Sequence, residues 1–292
     1  MKGLILAGGT ASRLHPTTIA LNKHLLPIYN KPLIYYSLST LMLINVKDVL
    51  ITCHSEDLKS FEKLLGNGSS FGIKITYEIQ DKPGGIAEVL LIAEKFLKDV
   101  NRFVTILGDN IFYIPHIREN LSNLIGLDSG AGIVLSGVSD PHRFGIAEFD
   151  KDMKIIGVEE KPRDPKSNFA ITGLYFYDKQ AIDFAKNTTR SARGELEITS
   201  INNEYLKKKK LNHAILPRGS VWLDAGTPNS MFAASEFVKI IEERQQTKIA
   251  VIEEVAYNMG YINHEILTAL ANRFKINCEY GDYLKKLISK KI

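Results

Sequence analysis

Short runs of apolar residues near the start of the chain predict buried β-strands. They cover residues 4–6, 48–53 and 103–107. A further stretch, residues 73–79, alternates between apolar and polar positions, as strands do. Apolar residues at helical spacing separate these strands, over residues 32–46, 55–65 and 85–97, with Ser55 as the expected N-cap of the second helix. Alternating strands and helices with short links favour a parallel sheet covered by helices on both faces.

The second half of the chain has a different pattern. Strands with turns between them are predicted over residues 132–138, 144–149, 154–159 and 170–177. Helices are predicted at 195–206, from Thr227-Pro228 onward, and in shorter pieces over 252–292. We therefore expect a Rossmann-like, three-layer α/β/α fold with a mostly parallel mixed sheet. Residues 1–227 would form the main α/β domain, with a first half at about 1–110 and a second half, carrying a second half-site, at about 111–227. Residues 228–292 would be a helical extension of it.

The sequence AGGTASR, directly after the first predicted strand, is a candidate phosphate site. Glycine lets a backbone approach a ligand and adopt positive φ, so such a loop can turn several N–H groups toward one phosphate chain. Arg13 adds a planar fork of donors and Lys23 a mobile positive charge, which together suit a polyphosphate. A tight turn flanked by two solvated basic residues would produce the same pattern.

Two carboxylates that are distant in the sequence each follow an apolar stretch. Asp109 comes after residues 103–107, and Asp224 comes after Val221-Trp222-Leu223. A pair of carboxylates suits Mg²⁺, a hard ion that keeps some waters and binds phosphate oxygens. Either aspartate alone could also be a turn or cap residue.

Polar residues at two other strand ends suit a sugar and a base. Glu160 can accept hydrogen bonds from two hydroxyls, and Lys161 beside it can neutralise a sugar phosphate. The Gln80 amide can both donate to and accept from the edge of a base. A solvated charged strand end and a surface glutamine are the alternatives.

Composition narrows the class of protein. The chain has 292 residues, of which 45% are hydrophobic and 24% charged, and a net charge of +4, as in ordinary globular proteins. The basic runs at 207–210 and 285–291 are better explained as solvated helix faces than as a nucleic-acid surface. Cys53 and Cys278 suggest neither a disulfide framework nor a metal knuckle. No stretch reaches the ~18 apolar residues of a membrane span, and the first apolar run is too short for a signal peptide. We expect a reduced, cytoplasmic protein with no nucleic-acid or membrane partner.

Spacing also excludes two common phosphate-binding motifs. The P-loop pattern G-x-x-x-x-G-K-[ST] is absent, and so is the G-x-G-x-x-G of dinucleotide oxidoreductases. Residues 3–27 instead resemble the signature L-A-G-G-x-G-T-R-L-x-P-x-T…K-x-L-L-P of the sugar-1-phosphate nucleotidylyltransferases. Further matching blocks are LGDNIFY at 107–113, EEKP at 159–162, TGLYFYD at 172–178 and SARGELEIT at 191–199. The resemblance therefore covers essentially the whole chain.

This resemblance implies an activity and an assembly. A Mg²⁺-dependent enzyme would transfer a nucleotidyl group from dTTP, or UTP, to glucose 1-phosphate and release pyrophosphate, for deoxysugar (dTDP-rhamnose) and surface polysaccharide synthesis. The phosphate of the sugar would attack the α-phosphorus in line, which needs no general base. The helical tail is similar to that of longer members, which form homotetramers (dimers of dimers) and carry a second, allosteric nucleotide site.

The resemblance also implies roles for individual residues. The catalytic residues would be Arg13, Lys23 and Asp109, and the metal ligands Asp109 and Asp224. The nucleotide would contact Gly8, Gly9, Thr10, Ala11, Ser12, Gln80 and Gly85. The sugar phosphate would contact Asn110, Gly145, Glu160, Lys161, Ile171, Tyr175 and Arg193. The allosteric site would contain Tyr113, His116, Arg218 and Glu254.

The chain departs from the family pattern at several positions. Ala11 and Ser12 replace a glycine and a threonine, Phe144 replaces a tyrosine, and Ala225 replaces a threonine. Around the expected base, Gly84 replaces an aspartate, and Glu88 and His24 each replace a glutamine. The base preference is therefore left open between dTTP and UTP. The remaining alternatives are another sugar 1-phosphate, a glycosyltransferase on a similar sheet, which would need a D-x-D metal motif, and a non-catalytic nucleotide-sugar sensor.

Overall fold

The structure is a computed structural model that describes residues 1–82, 84–192, 194–275 and 277–289. Its strands are β1 (Lys2–Leu6), β2 (Pro27–Ile28), β3 (Lys31–Pro32), β4 (Asp48–Cys53), β5 (Lys74–Ile79), β6 (Arg102–Leu107), β7 (Asn110–Tyr113), β8 (Ala131–Gly137), β9 (Gly145–Phe149), β10 (Ile155–Glu160), β11 (Phe169–Asp178), β12 (Leu211–Ile215) and β13 (Val221–Asp224). Its α-helices are α1 (Ile34–Leu43), α2 (Leu58–Leu65), α3 (Glu88–Ile92), α4 (Glu94–Leu97), α5 (Ile117–Asn120), α6 (Ser122–Ile125), α7 (Gln180–Asn187), α8 (Ile198–Lys207), α9 (Pro228–Gln245), α10 (Ile252–Asn258), α11 (His264–Ala271) and α12 (Glu279–Ser289).

One twisted sheet forms the centre of the molecule. Strands β6, β1, β4 and β5 lie side by side and parallel. Strand β11 runs antiparallel to β6 and connects it to β8, β9 and β10, while β12 pairs with β8. Every strand of this sheet runs in the same direction except β10 and β11. The predicted mixed, mostly parallel sheet between helical layers is therefore confirmed.

The continuous apolar runs reflect burial of both faces of the sheet. Leu4 and Ile5 are neighbours on β1 and both are fully buried, but they belong to different apolar clusters. Ile5 packs toward α1 and the C-terminal helices, and Leu4 packs toward α3, α7 and α8. Because successive side chains of a strand point to opposite faces, a strand between two helical layers needs apolar residues at every position.

Two predicted helix starts have different outcomes. Thr227 caps α9 as expected, since its hydroxyl accepts a hydrogen bond from the Ser230 N–H at 3.2 Å and the Ser230 hydroxyl accepts one from the Thr227 N–H at 3.0 Å. The prediction of Ser55 as a cap is wrong, because α2 begins at Leu58 with no side-chain cap. The Ser55 N–H instead donates to the Asp81 carboxylate at 2.8 Å, a partner from the loop after β5. The predicted helix over residues 85–97 is divided into α3 and α4 at Ala93.

The C-terminal helices pack on the α1 side of the sheet. Ile252 on α10 and Leu267 on α11 are fully buried in the same cluster as Ile5. The Tyr261 hydroxyl donates to the Met42 carbonyl at 2.9 Å, which ties the loop after α10 to the end of α1. No helix of the described residues is both long enough and apolar enough to cross a bilayer. The division of the chain at residue 227 stays a prediction.

Candidate active site

A cavity of about 600 Å³ opens where β1 and β6 end. Residues from several distant segments line it. Those that the sequence predicted are Thr10, Ala11, Ser12, Arg13, Lys23, Asp109, Asn110, Gly145, Glu160, Lys161, Ile171, Tyr175 and Asp224. As far as the structure describes the lining, Gly8, Gly9, Gln80 and Gly85 are not part of it, and Arg193 lies outside the described residues. Most of the predicted set is therefore gathered around one cavity.

The glycine-rich loop is held against the neighbouring strand β4. The Ala7 N–H donates to the Thr52 carbonyl at 2.9 Å, so the chain leaves β1 close to the sheet. Ala11 then adopts the left-handed conformation, with φ 49° and ψ 32°. Its carbonyl accepts a hydrogen bond from the Thr18 hydroxyl at 2.9 Å, which holds this turn in place. Arg13 follows in a short 3₁₀ helix and is exposed at the rim of the cavity.

Lys23 and Asp109 form an ion pair on the cavity wall, although 86 positions separate them. The other carboxylate oxygen of Asp109 accepts a hydrogen bond from the Asn110 amide at 2.9 Å. Burial raises the pKa of Asp109, but the Lys23 ammonium and these hydrogen bonds outweigh it and lower that pKa to about 2. Asp109 is therefore a carboxylate at neutral pH.

A two-stranded ribbon brings Asp224 to the same place. Strand β13 pairs antiparallel with β7, and Asp224 lies opposite Asn110. The Asn110 amide oxygen accepts hydrogen bonds from the Trp222 indole at 2.6 Å and from the Gly173 N–H at 3.1 Å. Burial, and then the negative charge of Asp109, raise the pKa of Asp224. The two carboxylates therefore face one another closely enough to repel.

This donor set fits a hard divalent cation. Two carboxylates with facing charges supply oxygen ligands, and a cation between them would relieve their repulsion. Among the described residues, no group of three or more histidine, cysteine, aspartate or glutamate side chains is placed to hold a metal. The remaining ligands would then be water or phosphate oxygens, as is usual for Mg²⁺.

Strands β9, β10 and β11 also contribute residues to the cavity lining. Glu160, the last residue of β10, pairs with Gly145, the first residue of β9. The Thr199 hydroxyl donates to the Glu160 carboxylate at 2.7 Å, and the Lys161 ammonium lies 3.7 Å from its other oxygen. A Cβ at residue 145 would lie 3.2 Å from Glu160, so glycine there leaves this carboxylate room. A carboxylate and an ammonium thus line the same cavity as the carboxylate pair.

Comparison with known proteins agrees with this geometry. Residues 2–240 match the family model described as nucleotidyl transferase. The chain belongs to the nucleotidyl transferase family. This membership confirms the expectation of a nucleotidyltransferase enzyme.

Individual members of this nucleotidyl transferase family are similar over the whole chain. The glucose-1-phosphate thymidylyltransferase of Neisseria meningitidis is 45% identical over 290 residues, which are 99% of this chain and 100% of that protein. The glucose-1-phosphate thymidylyltransferase of Mycolicibacterium smegmatis is 43% identical with the same coverage. A crystal structure of a Bacillus anthracis protein named as a glucose-1-phosphate thymidylyltransferase, in complex with sucrose, has a TM-score of 0.75 and 44% identity, and the match covers 81% of this chain and 94% of that one. A UDP-glucose pyrophosphorylase at 21% identity, with a TM-score of 0.72, shares the fold.

Sequence reasoning missed Arg143 and the role of Trp222, and it noted Phe144 only as a departure from the family pattern. Arg143 lines the cavity, and its guanidinium lies 3.5 Å from the Asp224 carboxylate. Phe144 packs edge-on against Trp222, with ring centroids 5.0 Å apart. Trp222 is the single tryptophan of the chain and immediately precedes Leu223-Asp224, so its position was a usable signal. The sequence carried no such signal for Arg143, because its partner Asp224 comes from a distant strand.

His24, one of the departures near the expected base, is buried and packs behind the loop that follows β6. Burial, with a smaller contribution from Lys23, lowers the pKa of its imidazole to about 3. The neutral ring lies with Nδ1 2.7 Å from the Asn22 side-chain oxygen and fills the space beside Gly108, where a Cβ would lie 2.7 Å from the imidazole. Its position behind the loop after β6 explains why it does not line the cavity.

The four predicted allosteric residues lie in different surroundings. Tyr113 exchanges hydrogen bonds with Gln245 on α9, and His116 and Arg218 are exposed. Glu254 accepts a hydrogen bond from the Tyr283 hydroxyl at 2.9 Å and lines a separate cavity of about 570 Å³. Their role in a second site stays a prediction.

Proposed function

We propose that this protein transfers a thymidylyl group from dTTP to glucose 1-phosphate, releases pyrophosphate and uses Mg²⁺. One observation carries the proposal. A single cavity brings together six charged residues, namely Arg13 and Lys23, Asp109 and Asp224, and Glu160 and Lys161. The names of the whole-length relatives support dTTP and glucose 1-phosphate as the substrates.

Two groups of lining residues suit the two substrates. Arg13 and the glycine-rich loop lie where a triphosphate can be neutralised, and Lys161 lies where the phosphate of the sugar can be held. Glu160 can accept hydrogen bonds from sugar hydroxyls, and Thr199 orients it. A sugar phosphate is already a nucleophile at neutral pH, so the main task of the protein is to hold two anions in line and stabilise the charge that develops.

The Lys23–Asp109 pair has a defined part in this scheme. Asp109 presents one oxygen to Lys23 and the other to the Asn110 amide, so the carboxylate is neutralised before substrate arrives. Lys23 is then positioned to turn from the carboxylate to the α-phosphate. Mg²⁺ held by Asp109 and Asp224 would supply a positive charge shared among the phosphate oxygens.

The rival functions have less support. The literal D-x-D at residues 150–152 lies in the turn between β9 and β10, where the Asp150 carboxylate accepts the Asp152 and Lys154 N–H groups at 2.9 Å. Those hydrogen bonds explain it as a turn residue, which argues against a glycosyltransferase. A sensor would not need Arg13, Lys23 and both carboxylates gathered around one cavity. UTP in place of dTTP remains the nearest alternative. The homotetramer rests on the resemblance, and the cytoplasmic location rests on the cysteine content and apolar pattern of the sequence.

Pyrophosphate release tests the proposal directly. The protein is incubated with Mg²⁺, glucose 1-phosphate and, in turn, dTTP, UTP and dCTP, and then with other sugar 1-phosphates. We expect the fastest release with dTTP and glucose 1-phosphate. Lys161→Met should raise KM for the sugar phosphate by at least ~10-fold, the effect of one charge-assisted contact. The exposed Lys151→Met is its control. Absence of pyrophosphate with every nucleotide would contradict the proposal.

A further inference from the structure

Glu88 connects the predicted base-reading residue to a distant loop. Its carboxylate accepts one hydrogen bond from the Gln80 amide nitrogen at 3.2 Å, and its other oxygen accepts one from the Arg190 guanidinium at 2.8 Å. Gln80 itself is 8% exposed, and the Glu88 side chain is 21% exposed. Glu88 begins α3, Gln80 follows β5, and Arg190 precedes α8, so three separate segments meet at this carboxylate.

The missing side chain of Gly84 creates the space for this carboxylate. A Cβ at residue 84 would lie 1.7 Å from one Glu88 oxygen and 2.0 Å from the other. Arg190 links Glu88 to the Gly84 backbone, since its guanidinium also donates to the Gly84 carbonyl at 3.3 Å. The departures at positions 84 and 88 therefore belong together, because the glutamate can take this position only beside a glycine.

The carboxylate determines which way the Gln80 amide faces. An ionised carboxylate only accepts hydrogen bonds, so the amide group that faces it must be the NH₂. The Gln80 amide oxygen then lies on the other side, toward Gly8, where a Cβ would come within 2.9 Å of it. This oxygen has no hydrogen-bond partner within the part of the chain that the structure describes. An acceptor is thus left available beside the glycine-rich loop.

We propose that Glu88 is a positioning residue that sets base selectivity by fixing the orientation of Gln80. The inference rests on the proposed function and on the base contact that the family resemblance implies for Gln80. Thymine and uracil carry an N3–H donor that the fixed amide oxygen accepts. Cytosine has an acceptor at N3, which would face that oxygen with no hydrogen between them, and the amide cannot rotate without breaking its hydrogen bond to Glu88.

Two chemically different substitutions remove the same constraint. Glu88→Ala deletes the carboxylate. Gly84→Ala displaces it, and the fold should tolerate this because the atoms in the way are the end of a flexible side chain. Glu94→Ala is the matched control, since Glu94 also forms an ion pair with a basic residue, Lys186, but does not touch Gln80.

The measurement is the ratio of kcat/KM for dTTP to that for dCTP, with glucose 1-phosphate as acceptor. We expect Glu88→Ala and Gly84→Ala each to lower this ratio about tenfold, the effect of misplacing one hydrogen bond, with KM changing more than kcat. The double variant should be no worse than either single variant, since both act through one contact. Glu94→Ala should leave the ratio unchanged, and melting curves show whether each variant is folded.

The outcomes separate this inference from the proposed function. If the wild-type protein turns over dTTP but both variants keep its base ratio within about twofold, Glu88 does not position Gln80. If the wild type turns over no nucleotide, the proposed function fails. Calorimetric titration of dTTP and dCTP then replaces kinetics. In that case, a wild-type preference for dTTP over dCTP that both variants lose would support the role of Glu88. Variants whose ratio of dTTP to dCTP affinity equals that of the wild type would overturn it.

Discussion

Asp224 lies directly opposite Asn110 in the ribbon formed by β7 and β13, and this pairing places two distant carboxylates on one wall of the cavity. Asn110 is the centre of the arrangement, since its amide nitrogen donates to Asp109 and its oxygen accepts from Trp222 and Gly173. The separation between the carboxylates therefore depends on strand register, which a folded ribbon holds closely.

Removing either carboxylate should abolish most of the activity. We expect Asp109→Asn and Asp224→Asn each to lower kcat by at least ~10²-fold, the scale of losing one electrostatic stabiliser of a transition state. Pyrophosphate release at saturating Mg²⁺ measures this, and a melting curve confirms folding. Asp164→Asn, at an exposed ion pair with Lys166, is the control. A folded variant with wild-type turnover would remove that aspartate from the mechanism.

Replacing Ala11 by glycine should tighten nucleotide binding. Ala11 has φ 49°, a left-handed conformation that costs a residue with a Cβ ~1 kcal/mol or more. Ala11 also lines the cavity where phosphates would lie. Calorimetry with a non-hydrolysable NTP should show a gain in affinity of up to about tenfold, with sugar phosphate affinity unchanged.

The control for that change is Ala20→Gly, at an exposed residue with φ −109°. Glycine there relieves no strain and should only lower stability, by about 0.4–1 kcal/mol, through the unfolded chain. If Ala11→Gly behaves like Ala20→Gly, with unchanged nucleotide affinity and a lower melting temperature, the left-handed conformation of Ala11 does not weaken nucleotide binding.

The buried pair of Lys31 and Glu242 should hold α9 against the two-stranded ribbon of β2 and β3. Their side chains are only 1% and 4% exposed, and the ammonium lies 2.7 Å from the carboxylate. Lys31→Met would strip Glu242 of its main buried partner and should lower the free energy of unfolding by about 3–5 kcal/mol. Urea denaturation measures this. Lys186→Met, at a surface pair, should lower stability far less, and equal losses in the two variants would contradict the prediction.

Glu253 should make stability fall as pH rises. Burial raises the pKa of this carboxyl above its ordinary value of 4.5, although the Tyr280 hydroxyl donates to it at 2.5 Å. The folded protein holds this proton more tightly than the unfolded chain does. The carboxyl group therefore destabilises the fold at pH values above its folded pKa, and this destabilisation disappears as the pH falls to 4.5. The stability of Glu253→Gln relative to wild type should therefore be greater at about pH 8 than at about pH 5. The exposed Glu265→Gln is its control, and a pH-independent difference would contradict this account.

Arg218 should matter for regulation but not for catalysis. The resemblance places it in a second nucleotide site, and the structure leaves it exposed before β13, away from the cavity lining. We expect inhibition by a dTDP-sugar end product that Arg218→Ala weakens without changing substrate KM. Steady-state kinetics at several inhibitor concentrations measure this, with Lys151→Ala as control. Strictly competitive inhibition that Arg218→Ala leaves intact would assign inhibition to the active site alone.

The sequence by itself determined the layers of the fold and most of the cavity. Strands such as residues 103–107 are apolar at every position because both faces of the sheet are covered, and that requirement is visible in a short window of sequence. Glycines and charged residues directly after such strands, as at Gly9 and Asp109, indicate the edge of the sheet where ligands bind. These features depend on local composition and on the direction of parallel strands.

The tertiary structure alone decided which side chains meet. The sequence did not show that the Asn110 amide accepts a hydrogen bond from Trp222 or that Asp81 accepts one from the N–H of Ser55. Nor did it show that Glu88 occupies the space beside Gly84. Each of these contacts joins segments from different elements. Periodicity and propensity report whether a residue is buried and how its backbone turns, whereas a long-range partner depends on register, packing and free volume, which arise only when the whole chain has folded.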